Sequence, residues 1–355
     1  MPIAPSRRKS TGDQAIDQAI LDLLAMVPAR SGDHDSRLDN RDQLREILTT
    51  AMSMAIDSAE GTNDRLDLKI ASSALTEMRD AYRMFQPHRS RRKVTIFGSA
   101  RTETSDPVYE LTVSVASALA GKGWMVVTGA GPGIMAAGLE GAGRENALGV
   151  SIRLPFESTA NTFVEPENLV DMRYFFTRKL ALLREAQAFV VMPGGFGTLD
   201  EAFELLTLVQ TGKATPVPIV MLGLGQGYWT AWQQFMDKVS LDGYTSRTDA
   251  DMYLITNSVE SAVAEIERFY SNFHSLRWQG DTLILRVQRA PTDAQLDQLN
   301  LEFGQYTDGS PITRSEPLGS ERAERDHLEL KRVVLRFNRR QPGGLRRLIN
   351  ATNTW

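Results

Sequence analysis

AFVVMPGGFGTLDE, residues Ala188 to Glu201, is the stretch that decides the fold. Phe189 to Val191 form a short apolar run typical of a buried strand, and Pro193 to Gly195 end it abruptly. Gly197 and Thr198 then open a helix. The first N–H groups of a helix have no partners within it, and glycines let a ligand approach the backbone closely. We therefore predict an anion, most commonly phosphate, at this turn.

Strands alternate with helices on both sides of this stretch. That alternation predicts an α/β fold: a Rossmann-like, doubly wound parallel sheet with helices on both faces. Ligands of such sheets bind at the rim where the strands end. The predicted strands besides the opening one are 94–98, 124–129, 149–155, 218–223 and 252–256, and the predicted helices include 109–121 and 174–187.

The chain predicts four consecutive segments. Residues 1–38 form a flexible N-terminal arm, 39–90 a helical segment, 91–273 the Rossmann-like domain, and 274–355 a small C-terminal α/β unit with a basic tail. In the last unit we expect strands at 282–287 and 331–337 and a helix at 292–303.

Two basic runs have a simple interpretation. HRSRRK, at 88–93, is typical of a solvated hinge. The run from Lys331 to Arg347 is predicted to be a solvated strand face and tail, because no aromatic residues are interleaved with its charges. Contact with an anionic effector or a nucleic acid is the alternative for this second run.

Composition excludes several classes of function. The chain has 355 residues, no cysteine and four histidines, which are far apart, so disulfides and thiolate or histidine metal sites are not expected. It has no apolar run of membrane-spanning length and no secretory signal, which predicts a cytoplasmic protein without a membrane partner. Its net charge of −4 gives no general reason to bind nucleic acid.

A second glycine turn, Gly131 to Ala136, matches the dinucleotide fingerprint GxGxxA, and Glu157 lies where that motif places a ribose-binding acid. An NAD-dependent oxidoreductase is therefore one alternative. Two observations count against it: the motif follows the second strand of the domain, and Pro132 stands where the pyrophosphate would approach. A phosphate or ribose contact here, or close packing of helix and strand, remains open.

Charged residues flank the opening turn. Asp200 and Glu201 are adjacent, so they point about 100° apart around the helix and cannot both face a ligand. The inward carboxylate suits a group that holds ribose hydroxyls or stabilises an oxocarbenium-like centre. Arg178 and Lys179 are either a surface pair or part of the same rim, where arginine suits a bidentate contact to phosphate.

Together these residues resemble the Lonely Guy (LOG) family of nucleoside 5′-monophosphate phosphoribohydrolases, long labelled as lysine decarboxylases. The family pattern, an Arg-Lys pair followed by PGGxGTxxE, is present as Arg178-Lys179 and Pro193 to Glu201 at the family's spacing. The resemblance covers about residues 94 to 270. It implies a Rossmann-like fold, a homodimer or larger homo-oligomer, and hydrolysis of a nucleoside monophosphate to free base and ribose 5-phosphate without a cofactor.

The resemblance also implies the roles of individual residues. Arg178 and Glu201 correspond to the catalytic pair. The phosphate-binding positions are Gly194, Gly195, Gly197 and Thr198. The other substrate-binding positions are Lys179, Thr207, Gly98, Ser99, Gly129, Gly131, Gly133 and Glu157, the last as an acid near the base.

Two departures bear on the substrate. Phe175 stands where plant-type members have methionine, and the flanking segments resemble those of larger bacterial members that act on purine and pyrimidine nucleotides generally. We therefore predict AMP-like nucleotides as the reference substrate, with cytokinin riboside 5′-monophosphate as a narrower option. A non-catalytic protein that binds a nucleotide or phosphorylated cofactor on the same fold is the alternative function.

Overall fold

The computed structural model describes residues 10–27, 41–154, 161–225, 227–339 and 341–355. The chain divides into two compact units. The first comprises the described parts of Met1–Leu75 together with Leu318–Leu328, and the second comprises Thr76–Pro317 and Glu329–Trp355. The predicted limits of the arm, the helical segment and the two domains stay a prediction.

The described residues form twelve α-helices and eleven strands. The helices are α1 (Gln14–Met26), α2 (Arg41–Ala59), α3 (Arg65–Phe85), α4 (Pro107–Gly121), α5 (Ile134–Ala142), α6 (Phe175–Arg184), α7 (Phe196–Gln210), α8 (Tyr228–Leu241), α9 (Val259–Phe269), α10 (Asp293–Phe303), α11 (Gly319–Ala323) and α12 (Pro342–Thr352). The strands are β1 (Lys93–Phe97), β2 (Met125–Thr128), β3 (Ala147–Ile152), β4 (Leu169–Met172), β5 (Ala188–Val191), β6 (Ile219–Leu222), β7 (Leu254–Thr256), β8 (Phe273–Gln279), β9 (Thr282–Val287), β10 (Thr313–Ser315) and β11 (Lys331–Leu335).

The first seven strands form one parallel sheet, which confirms the predicted fold class. Their order is β4-β3-β2-β1-β5-β6-β7, and β1 pairs with β5 in the register Ile96↔Val190. The chain winds outward from β1 to β4 and then returns to the other side of β1. The strand order therefore reverses between β1 and β5, which is the place where open α/β sheets bind ligands.

Apolar side chains cover both faces of this sheet. On one face Leu119 of α4, Leu139 of α5 and Ile266 of α9 pack in a buried cluster with strand residues. On the other face the buried cluster includes Leu182 of α6 and Leu205 of α7. Four strands are buried throughout: β1, β2, β5 and β6. Burial on both faces is what a parallel sheet with helices on each side requires.

A second, antiparallel sheet has the order β10-β11-β9-β8, with its own core around Phe303, Leu335 and Leu348. The predicted helix at 292–303 and the strand at 282–287 are present. The short strand β10, the strand β8 and the terminal helix α12 were not predicted. Among the described residues no helix is long and apolar enough to cross a membrane.

The prediction of a solvated hinge at 88–93 is wrong for Lys93, whereas Arg89 and Ser90 are exposed. Lys93 begins the central strand β1 and is only 2% exposed. Its Nζ donates to the carbonyl oxygens of His88 (2.8 Å) and Arg91 (3.1 Å), which satisfies the buried ammonium group. His88 in turn hydrogen-bonds Asn168 at 2.9 Å. Lys93 is buried because the strand it begins lies at the middle of the sheet.

The prediction of a solvated face and tail for Lys331–Arg347 is wrong for two of its arginines. Arg332 is 1% exposed and Arg346 is 3% exposed. Arg346 lies on α12, donates to the carbonyl oxygen of Val217 at 2.8 Å and forms an ion pair with the buried Glu265 of α9. Its guanidinium also lies 4.5 Å from the centroid of the Phe269 ring. The ion pair thus joins α12 to the domain that carries the parallel sheet.

We expect Arg346→Ala to lower the free energy of unfolding by about 3 kcal/mol, because it leaves the charge of its buried partner Glu265 without that ion pair. Arg268 also contacts Glu265, which limits the loss. Urea denaturation measures this. The matched control is Arg347→Ala on the same helix, whose half-exposed side chain lies 3.8 Å from Asp251 and whose removal should cost less than about 1 kcal/mol. Equal losses in the two variants would contradict the assigned role of Arg346.

Candidate functional site

Three glycine-containing turns meet at the rim where the strand order reverses. The turn after β1 is held to the turn after β5 by a hydrogen bond from Ser99 N–H to the Pro193 carbonyl (3.2 Å). The turn after β2 joins them, because Ile134 N–H donates to the Ser99 carbonyl at 3.0 Å. Together the three turns border a cleft of about 1190 Å³.

Most residues predicted from the sequence line this cleft. The lining includes Gly98, Ser99, Gly129, Gly131, Arg178, Gly195, Gly197, Thr198 and Glu201. Four predicted positions are not in that lining: Gly133, Gly194, Lys179 and Thr207. Glu157 lies outside the described residues.

Gly133 and Gly194 lie behind the cleft wall and allow the turns to pack closely. Gly133 has φ +64°, and a Cβ there would lie 2.4 Å from the Ser99 carbonyl oxygen. A Cβ at Gly194 would lie 2.1 Å from Thr198 Oγ1. Neither position tolerates a side chain without movement of its neighbours. The phosphate and substrate contacts expected of these two glycines stay predictions.

The start of α7 presents its backbone to the cleft. Gly195 is the N-cap residue and makes no side-chain cap hydrogen bond. A Cβ at Gly195 or Gly197 would meet nothing within 4 Å, so the space beside them is open. Unpaired N–H groups and the positive end of the helix dipole favour an anion at such a place.

Glu201 lies in the second turn of α7 with its carboxyl group in the cleft wall. Its side chain is buried, with 8% of the residue exposed, and Oε2 has no hydrogen-bond partner among the described residues. Burial raises the pKa of Glu201 to about 7, although the charges of Lys179 and Arg178 act in the opposite direction. A carboxyl group with this pKa exchanges a proton near neutral pH, as a catalytic acid or base must.

Asp200, the neighbour of Glu201, also borders the cleft but is exposed. Its side chain is 61% exposed and forms a salt bridge with Lys179 Nζ at 2.7 Å. Lys179 also contacts Glu204 at 2.6 Å, and these hydrogen bonds raise the pKa of Lys179 although its burial lowers it. The helical geometry thus buries Glu201 and leaves Asp200 to pair with a lysine.

Arg178, on α6, is directed at the carboxyl ends of two strands. Its Nε donates to the Val150 carbonyl (2.9 Å) and its Nη2 to the Gly129 carbonyl (3.0 Å). A Cβ at Gly129 would lie 1.9 Å from Nη2, so glycine is what admits the guanidinium. Arg178 and Glu201 thus line one cleft, where the arginine charge lowers the carboxyl pKa against the effect of burial.

Thr207 lies on the exposed part of α7 beyond Glu201, and its carbonyl oxygen accepts from Thr211 Oγ1 at 2.7 Å. The ligand contacts expected of Thr207 and Lys179 stay predictions. Among the described residues no group of three or more His, Asp or Glu side chains could hold a metal ion.

Sequence reasoning missed a polar part of the cleft at the ends of β3 and β4. Ser151, Arg153, Asn161 and Asp171 line it, and Ser151 Oγ donates to the Asp171 carboxylate. Asp171 lies on β4, a strand of only four residues that was not predicted. Its pairing with β3 is what brings Asp171 opposite Ser151.

Comparison with known proteins confirms the LOG resemblance. Residues 132–266 match the family described as "Possible lysine decarboxylase". Cytokinin riboside 5′-monophosphate phosphoribohydrolase LOG7 of Arabidopsis thaliana is 29% identical over 38% of this chain and 60% of LOG7. The cytokinin riboside 5′-monophosphate phosphoribohydrolase of Mycobacterium tuberculosis is 27% identical over 46% of this chain and 88% of its own.

A solved structure, the molybdenum cofactor carrier protein of Chlamydomonas reinhardtii, is 20% identical and has a TM-score of 0.36. The aligned region covers 50% of this chain and 97% of the carrier. The chain spans less than two thirds of LOG7, and the family match leaves residues 1–131 and 267–355 of this chain unmatched.

Glu201→Gln should stabilise the fold in a pH-dependent way. The folded pKa of about 7 lies above the usual value of 4.5, so as pH rises between these values the unfolded chain releases the proton that the folded protein keeps, and stability falls. The neutral amide avoids that cost. We expect a gain in unfolding free energy of under about 1 kcal/mol at pH 5 and about 3 kcal/mol at pH 8.

Urea denaturation at both pH values measures this gain. The control is Glu302→Gln, at an exposed carboxyl group on α10. A gain that stays the same from pH 5 to pH 8, or a loss at pH 8, would show that Glu201 is not buried as described.

Proposed function

We propose, from the similarity of this chain to the LOG relatives, that the protein hydrolyses the N-glycosidic bond of nucleoside 5′-monophosphates to free base and ribose 5-phosphate. The observation that supports this most strongly is the place of Glu201. A buried carboxyl group with a pKa of about 7 lines the same cleft as the uncapped start of α7 and the arginine Arg178. A phosphate site and a carboxylate within one cleft suit a phosphorylated sugar.

In the proposed complex the 5′-phosphate is held by the N–H groups of Gly195 to Thr198. The ribose then extends along α7 toward Glu201, which lies one turn further into the helix. Anchoring the phosphate fixes the sugar without taking part in the reaction. The binding energy of this remote group therefore places C1′ beside the carboxylate.

The chemistry follows from the charge that develops on the sugar. As the bond from C1′ to the base breaks, positive charge grows on the sugar, and the Glu201 carboxylate offsets it. Glu201 then takes a proton from the water that attacks C1′, and the departing base takes up a proton from solvent. The products are free base and ribose 5-phosphate, and Glu201 is ionised again once the proton is released.

Arg178 holds this arrangement in place. Its hydrogen bonds to Val150 and Gly129 fix the guanidinium at the ends of β3 and β2. From there its charge favours the ionised form of Glu201, which the mechanism requires. Ser151, Asp171 and Arg153 lie at the other part of the cleft, where donors and acceptors suit the edge of a base.

AMP-like nucleotides are the reference substrates of this proposal, and cytokinin riboside 5′-monophosphate is the substrate named for the relatives. We further propose a homo-oligomer. Phe196 is 94% exposed, and Phe175, Phe176 and Leu180 are also exposed, which supports an apolar contact with a second copy near the cleft. The cytoplasmic location stays a prediction.

Purified protein incubated with AMP, GMP, CMP and isopentenyl-AMP should release free base, measured by chromatography together with ribose 5-phosphate. Glu201→Gln should lower kcat by roughly a thousandfold, since it removes the group that meets the developing charge. Asp200→Asn is the matched control: it changes the adjacent, exposed carboxylate and should keep kcat within about threefold.

Binding of AMP in calorimetry without release of base would favour the nucleotide-binding alternative over the enzyme. Release of base at an unchanged rate by Glu201→Gln would overturn the assigned mechanism. Thermal stabilisation by NAD stronger than that by AMP would favour an oxidoreductase.

The pH dependence tests which form of Glu201 acts. Because the ionised form is required, kcat/KM should fall about tenfold per pH unit below a pKa near 7. The phosphate of the substrate also titrates near this range, at about pH 6. Lys179→Met distinguishes the titration of Glu201 from that of the substrate phosphate, because the Lys179 charge lowers the pKa of Glu201 but not that of the free nucleotide. The acid limb should move to higher pH in this variant, and a limb that stays in place would assign it to the nucleotide.

A further inference from the structure

Glu77, near the middle of α3, makes a set of contacts with the start of α6. One carboxyl oxygen accepts from the backbone N–H of Arg173 at 3.0 Å. The other accepts from Tyr174 N–H at 3.4 Å and from Thr177 Oγ1 at 2.5 Å. Glu77 is 8% exposed and Thr177 is 1% exposed, so the cluster is buried. We infer that Glu77 is a positioning residue for Arg178, an inference that rests on the proposed function.

Helix α6 lacks a local cap of its own. Its N-cap residue, Tyr174, makes no side-chain cap hydrogen bond, and Phe175 and Phe176 follow it with low helix propensity. The helix has only ten residues. An acidic group at the start of a helix satisfies N–H groups and interacts favourably with the helix dipole. Glu77 supplies that group from a segment far away in the sequence.

The capped turn is the one that carries Arg178. Thr177 immediately precedes Arg178, and Arg178 N–H closes the first helical turn onto the Tyr174 carbonyl at 3.3 Å. Glu77 holds both ends of that turn, through Tyr174 and Thr177. The position of this first helical turn determines whether the guanidinium reaches the Val150 and Gly129 carbonyls.

Glu77 itself does not line the cleft. It acts through Arg178, and the charge of Arg178 lowers the pKa of Glu201. Loss of the cap should therefore have two linked effects: fewer molecules with Arg178 in place, and a higher pKa for Glu201. This gives part of the helical N-terminal segment a role in the reaction.

The test compares Glu77→Ala with Glu77→Gln. Glu77→Ala should lower kcat roughly tenfold to a hundredfold, since small misplacements of a catalytic group are costly, and should move the acid limb of kcat/KM to higher pH. Glu77→Gln keeps an oxygen acceptor and should restore most of kcat. The control is Asp80→Ala on the same helix, whose exposed side chain pairs with the neighbouring Arg79 and whose loss should leave kcat unchanged.

If Glu77→Ala fails to fold, Thr177→Val removes only the hydroxyl donor and should produce the same shift of the limb at smaller loss of kcat. A change in KM alone, a limb that does not move, or a Glu77→Gln variant as impaired as Glu77→Ala would overturn the inference.

Hydrogen exchange separates this inference from the proposed function. If wild-type protein releases no base, the proposed hydrolytic function is contradicted. In that case, faster exchange of the α6 amides in Glu77→Ala still supports the positioning of Arg178, and unchanged exchange overturns it.

Discussion

The burial of the Glu201 carboxyl group is the constraint on which the site depends. It lies in the second turn of α7, at the crevice created by the reversal of strand order between β1 and β5. Removal from water raises its pKa to about 7 and leaves Oε2 without a hydrogen-bond partner among the described residues. Buried ionisable groups with a perturbed pKa are concentrated at functional sites, and Glu201 lies in an open cleft beside a helix N-terminus.

The two cations near Glu201 are used differently. Lys179 forms ion pairs with Asp200 and Glu204, and its charge still lowers the pKa of Glu201. The hydrogen bonds of Arg178 to the Val150 and Gly129 carbonyl groups hold its guanidinium at the cleft, where its charge also lowers the pKa of Glu201. The glycine at 129 and the carboxylate at 77 are the two features that let this arginine lie where it does.

Local sequence was sufficient to predict the parallel sheet and the main features of the cleft. Apolar runs ending in glycine identify β1, β2 and β5, and helical geometry separates Glu201 from Asp200. The rest depends on tertiary contacts that leave no local pattern. Glu77 meets Thr177 across 100 residues, and β4 is too short to show a period. Basic runs look solvated in sequence, yet Lys93 and Arg346 are buried because carbonyl groups and Glu265 satisfy them.

The most direct test of the account is a crystal structure of the Glu201→Gln variant soaked with AMP. We predict an intact nucleotide with its phosphate on the N–H groups of Gly195 to Thr198 and the amide of the variant beside C1′, within reach of one bridging water. Phosphate bound elsewhere in the cleft, or a base instead of the ribose beside position 201, would contradict the account.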